Sequence, residues 1–274
     1  MTLSKFFRKN IALPGDHGSW VFLLSPLLIG IFASGEWTSA SLLLIVAALA
    51  AFLIRQPTSI AVKAYTGRRS QQDLPAARFW FLVYAFIGLG ALGNLIRLGY
   101  AFILILAVPG ILVFIWHLRL VSKRQERRQM GVDIIASGTL ALAAPAAFWL
   151  GTGNPDPLGW WLWGLTWLQS AASIVYAFLR LEQRVLEEPP SSKTKLKLAQ
   201  RALLYTTFNL LLSIVLAILK IIPSFIWIPF ALQWIETIWG TFNPAIGQKP
   251  TRIGLRQLAV STLFTILFIL VWQK

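Results

Sequence analysis

Long uncharged runs alternate with short polar clusters along the whole chain. Seven stretches contain no Asp, Glu, Lys or Arg: 18–35, 37–54, 79–96, 98–118, 134–155, 157–179 and 202–219. A helix needs about 20 apolar residues to cross a bilayer core, with roughly 17 as the lower limit. Every one of these runs meets it. Two shorter apolar runs follow, Ile221–Ile235, which ends at Glu236, and Leu258–Trp272. The pattern predicts an all-α fold, a polytopic transmembrane helical bundle of about nine helices in a single integral membrane domain spanning 1–274. Its helices fall near 18–35, 37–54, 79–96, 98–117, 134–151, 158–179, 202–220, 222–239 and 257–273.

The first run also has features of a secretory signal, with Lys5, Arg8 and Lys9 ahead of it and the small residues Ala33, Ser34 and Gly35 at its end. It is 18 residues long, contains Pro26, and is followed at once by another apolar run. An uncleaved first helix is expected.

Composition agrees with the pattern. Apolar residues make up 57% of the chain and charged residues 13%, against about 25% charged in a soluble domain. There is no cysteine, which excludes disulfides, thiolate metal sites and a cysteine nucleophile. The two histidines, His17 and His117, are too few for a haem or zinc site, so no transition metal is expected, and no cofactor can be named from the residues.

The net charge of +15 points to loop placement rather than to nucleic acid. With the N-terminus inside, the inner segments are 1–17, 55–78, 118–133, 180–201 and 240–256, and they hold 22 of the 25 Lys and Arg residues. Only Arg97, Lys220 and Lys274 fall outside them. Short cytoplasmic loops are rich in Lys and Arg. The expected topology is therefore a cytoplasmic N-terminus and a C-terminus on the opposite side, in a plasma membrane or an internal membrane. Inner loops longer than about 12–15 residues tend to be functional, which makes the inner face the expected working face.

Candidate binding residues gather there. Asp16 and His17 stand at the entry to the first helix. Arg55 leaves the second beside Pro57, followed by Lys63 and Arg69, with Asp73 the sole acid of that loop. Arg128 precedes Asp133 at the start of the fifth helix, and Arg252 lies in the last inner loop. Clustered arginines bind phosphate, diphosphate or carboxylate by charge-assisted hydrogen bonds; the bland alternative is topology plus attraction to anionic lipid. Glu236 sits among apolar and aromatic residues close to the inner boundary, where an ionised carboxylate needs a partner or a cavity. Arg55, Arg128 and Arg252 are its expected partners.

Thirteen tryptophans invite two readings. One is an aromatic belt at the headgroups. The other is a wall of rings lining a lipid or pigment pocket, strongest for Trp160, Trp161, Trp163 and Trp167.

Several of these pieces together resemble the YwiC-like family of bacterial integral membrane proteins. They are Pro14–Trp20 with Pro26, the Arg55-Gln56-Pro57 exit, the Arg124–Gly131 segment before Asp133, and Pro250–Gly254. In architecture the chain is more distantly similar to the UbiA-type prenyltransferases, which have nine helices and cytoplasmic functional loops. That likeness implies a UbiA-like arrangement with an isoprenoid or quinone-type lipid as partner alongside bulk membrane lipid. Those enzymes hold Mg²⁺ and a prenyl diphosphate through two aspartate-rich motifs. Here the matching loops offer Asp73, and Glu182, Glu187 and Glu188, without the NDxxD or DxxxD spacing. An anionic head is therefore expected to meet Arg and Lys directly. Two other classes stay open at this point, a transporter and a non-catalytic membrane scaffold or assembly factor.

Overall fold

In the computed structural model, residues 6–15, 18–125 and 129–273 are described. Asp16, His17 and Arg128 lie outside the described residues. Twelve helices follow in chain order: α1 (Lys9–Ala12), α2 (Ser19–Ser34), α3 (Ser39–Leu53), α4 (Arg55–Tyr65), α5 (Leu74–Arg97), α6 (Leu104–Ser122), α7 (Met130–Ala141), α8 (Ala143–Thr152), α9 (Pro157–Gln183), α10 (Ser192–Ile218), α11 (Trp227–Phe242) and α12 (Pro250–Trp272). No strand occurs among the described residues. The protein is a polytopic helical bundle.

Helices α3 and α4 are continuous through Ile54, which keeps right-handed helical angles, and α7 and α8 join in the same way through Leu142. Counted so, seven helices among the described residues are long and apolar enough to cross a bilayer. Helices α2 and α11 are shorter, at 16 residues each. The segment after residue 54, read from the sequence as the start of a long loop, is helical to Tyr65. Its apolar positions Pro57, Ile60 and Ala64 share one face and are buried, the spacing of an amphipathic helix.

Local chemistry sets the ends. Asp156 accepts the backbone N–H of Leu158 at the start of α9, Ser191 accepts that of Thr194 in α10, and Thr38 with Ser41 forms a capping box on α3. Pro157 and Pro250 occupy the first turns of α9 and α12, where a missing N–H costs nothing. Gly35 and Gly153 close α2 and α8 at φ +72° and +80°, a left-handed turn that side chains with a Cβ resist.

Helix α9 is the centre. It packs against α2, α7, α8, α10, α11 and α12, and 67% of its apolar window is buried, against 17% for α5 and 11% for α6. The outward rows of α5 and α6, such as Leu82, Phe86, Leu89, Ile105 and Leu112, are exposed side chains suited to lipid. Helices α2 and α12 run side by side, linked by Ser25 to Thr265 at 2.5 Å and by the Gln273 amide to the Phe32 carbonyl at 3.4 Å. At the other end Arg8 and Arg69 both bind Asp73, at 2.7 and 2.6 Å, and Arg68 donates to the Val121 carbonyl. This basic end also holds the α9–α10 and α11–α12 connections.

The tryptophans on α9 have a third role. Trp163 and Trp167 donate their indole N–H groups to the carbonyls of Gly138 and Ile134, each at 2.9 Å. Where the α7–α8 helix bends, the Leu142 N–H turns to Thr139, and Trp163 takes up the Gly138 carbonyl at that place. Pro145, which has no N–H, follows in the next turn. Trp163 and Trp167 stack with ring centroids 5.1 Å apart. They rivet α7 to α9 at one-turn spacing.

Candidate functional site

Along α9 the residues Thr166, Gln169, Ser173, Tyr176, Arg180 and Gln183 recur every three or four positions and are all buried. They make one polar stripe down the most enclosed helix. Polar groups at such depth must find partners; Thr166 bonds the Leu162 carbonyl of its own helix, and from Ser173 onward the stripe reaches α11 and α12.

Glu236 is the focus. Arg256 donates to both of its carboxylate oxygens, Nε to Oε1 at 2.6 Å and Nη2 to Oε2 at 2.7 Å. The Tyr176 hydroxyl is 2.9 Å from Oε1 and 3.1 Å from the Glu236 carbonyl. That contact needs Gly240, because a Cβ there would overlap the tyrosine ring and hydroxyl. The Trp239 ring lies 3.5 Å from the Arg256 guanidinium, a cation–π contact on a two-pronged ion pair.

Arg180, only 2% exposed, anchors the turn below. Its Nη1 donates to Gln183 Oε1 at 2.8 Å and to the carbonyls of Gly240 and Asn243 at 2.8 and 2.7 Å. These carbonyls belong to the last turn of α11 and the residue that ends it, where a cation complements the helix dipole. The guanidinium also sits between the rings of Tyr176 and Trp239. The connection beyond α11 is held to α9 by Ala245 N–H on Gln183 Oε1, Gly247 N–H on the Arg184 carbonyl, and Arg184 Nε on the Gln248 carbonyl.

Above this platform is a cavity of about 600 Å³ lined by Trp239, Asn243, Pro244, Gln248, Arg252, Leu255 and Arg256. Arg252 and Arg256 line the cavity, and Arg256 is the one bound to the Glu236 carboxylate. Arg252 and Arg256 are exposed, as are the apolar Ile235, Leu255 and Leu258 beside them. The arrangement can hold an anion at the cavity and an apolar chain along the adjoining helix faces. Among the described residues no three of His, Asp and Glu come together as a metal site.

Of the residues singled out from the sequence, Arg252 lines this cavity, and Glu236 lies buried behind it as the partner of the lining Arg256. The arginine on Glu236 is Arg256, one turn beyond Arg252. Arg69 is instead paired with Asp73 beside Arg8. Arg55 opens α4, its guanidinium 5.4 Å from the Phe52 ring, and Lys63 lies in the last turn of the same helix. Asp133 stands in the first turn of α7. Tyr176, Arg180 and Gln183 were not singled out, although their helical spacing on an apolar helix was visible.

No curated protein and no solved structure matches the chain. The model of the YwiC-like protein family matches residues 13–148. The cavity lies wholly beyond that stretch. Over α2 to the middle of α8, just under half of its length, this multi-pass membrane protein is similar to the YwiC-like family.

Proposed function

We propose that the protein binds the anionic head of an amphipathic molecule, an isoprenoid or another lipid bearing phosphate, diphosphate or carboxylate, at its basic end. One observation carries this reading: Arg252 and Arg256 share a cavity of about 600 Å³ with Trp239, Asn243 and Gln248, next to exposed apolar rows of α11 and α12. Arg256 is already aligned by Glu236 and Trp239, so little side-chain freedom remains to be lost when an anion arrives. Arg252 has no carboxylate within ion-pairing distance among the described residues and supplies the additional positive charge.

The abundance of basic residues at this end makes it the cytoplasmic one by the positive-inside rule. The bundle retains a UbiA-like plan in this reading, with arginines in place of aspartate-held Mg²⁺. The test is thermal stabilisation of the detergent-purified protein by a prenyl diphosphate, with Mg²⁺, EDTA and salt varied independently. Stabilisation should persist in EDTA, fall as ionic strength rises, and be lost in Arg252→Ala. Stabilisation that requires Mg²⁺, or that is the same in Arg252→Ala, would overturn the reading.

A further inference from the structure

A second polar site lies deeper, where α9, α10 and α11 meet. Asn209 is 1% exposed and Gln233 5%. Their amide nitrogens donate to consecutive carbonyls of α9: Asn209 Nδ2 to Leu168 at 2.8 Å, and Gln233 Nε2 to Gln169 at 3.0 Å. Two side chains from different helices are thus brought to the same level of α9, near the middle of its length. In both, the remaining atom is an acceptor, and neither Asn209 Oδ1 nor Gln233 Oε1 has a hydrogen-bond partner in the protein. Orphaned acceptors at such burial are rare and costly.

The neighbouring hydroxyls cannot satisfy them. Thr206, one turn before Asn209, donates to the Ala202 carbonyl, and Thr237, one turn after Gln233, donates to the Gln233 carbonyl. Ser170 donates to the Thr166 carbonyl. These protons are committed to backbone, so the hydroxyls turn only lone pairs outward. Each amide oxygen is in turn polarised by its own N–H bond to α9. Both orphaned oxygens are neutral acceptors in an apolar bundle, the kind of donor that hard monovalent cations take in place of their hydration shell.

We propose that Asn209 Oδ1 and Gln233 Oε1 are ligands of a buried alkali-cation site between α9, α10 and α11. The site is independent of the head-group cavity and stands or falls separately from it. Glu236, one turn along α11, is its closest acid in sequence and is held by Arg256. The site therefore rests on neutral oxygens, and a new carboxylate within it should strengthen it.

The experiment is thermal unfolding of the full-length protein in detergent with NaCl, KCl or choline chloride at equal ionic strength. Sodium or potassium should raise the midpoint saturably while choline does not. Gln233→Met, close in volume and without amide atoms, should abolish the difference, as should Asn209→Leu. Gln233→Glu should lower the half-saturating cation concentration by about tenfold or more, since a charged ligand adds Coulomb attraction in a low-dielectric site. That gain does not depend on the folding of the truncating variants. Identical midpoints in the three salts, with no cation response created by Gln233→Glu, would mean that the two oxygens solvate water only and would overturn the site.

Discussion

Arg256 and Glu236 form a two-pronged ion pair, with both guanidinium–carboxylate contacts at or below 2.7 Å, between the last turns of α11 and the first turns of α12. The carboxylate side chain is 10% exposed and the arginine 42%. Removing the arginine strands a nearly buried charge; removing the acid releases an arginine that already reaches solvent. Arg256→Met should therefore destabilise more than Glu236→Gln, by about 1–3 kcal/mol for the arginine change. The pair of substitutions together should cost less than their sum. Unfolding midpoints of the four proteins in detergent check this, and additive losses would show that the two groups are not coupled.

The buried Arg180 supports the same corner differently. It donates from Nη1 to Gln183 and to two carbonyls at the end of α11, with its planar guanidinium against the Tyr176 and Trp239 rings, an arrangement that a lysine ammonium does not reproduce. Arg180→Lys should loosen residues 240–248 while leaving α2, α8 and the Trp163–Trp167 stack intact. Hydrogen exchange resolved by segment is the measurement. Faster exchange throughout the chain, or none at 240–248, would contradict a local role.

Gly240 offers a substitution of minimal size at the same place. A methyl group there meets Tyr176, which must then leave Glu236. Gly240→Ala should cost about 1–3 kcal/mol, and Tyr176→Phe in the same background should restore part of it by removing the displaced hydroxyl. An unfolding midpoint unchanged by Gly240→Ala would show that this contact is not tight in solution.

Trp163 and Trp167 should produce an exciton couplet in circular dichroism from rings stacked at 5.1 Å and 27°. Trp163→Phe removes the couplet and also the donor to the Gly138 carbonyl. A stability loss of about 1–3 kcal/mol is expected from the exposed acceptor. Loss of the couplet without loss of stability would assign these rings to the membrane boundary alone.

Sequence pattern was a good guide wherever hydrophobicity alone decides structure. The apolar runs became helices because lipid leaves a spanning backbone little alternative. The N-terminal ends followed side-chain capping at Thr38, Asp156 and Ser191. The extension of α3 into α4 was less legible, because its charges and polar residues look like a loop when read for spans and like an amphipathic helix only when read by face. The site was half legible. Glu236 stood out because a lone carboxylate among apolar residues is conspicuous, and Arg252 because it sits in a basic loop. Arg180 was counted only as loop charge, and Arg256 was not among the expected partners of Glu236, which were Arg55, Arg128 and Arg252, since pairing across helices depends on tertiary contacts that spacing along one chain does not encode. The indole bonds from α9 to α7 are of that kind too: composition shows the rings, and only packing shows where each N–H goes.

Sidedness is open to a direct check. A reporter fused after Lys274 should read as outside and one inserted at Ser191 as inside, because 22 of the 25 basic residues belong to the segments assigned to the inside. Both reporters on one face would mean that α11 or α12 does not complete its crossing, and the basic end would no longer be a single surface.

The central claim is that the cavity beside Arg252 holds an anionic amphipathic molecule. Native mass spectrometry of the protein purified from membranes, with extraction and identification of what it carries, tests this most directly. One anionic lipid or isoprenoid per protein, retained in the wild type and lost in Arg252→Ala, is the predicted result. Wild type and Arg252→Ala carrying the same unselective bulk lipid would contradict it.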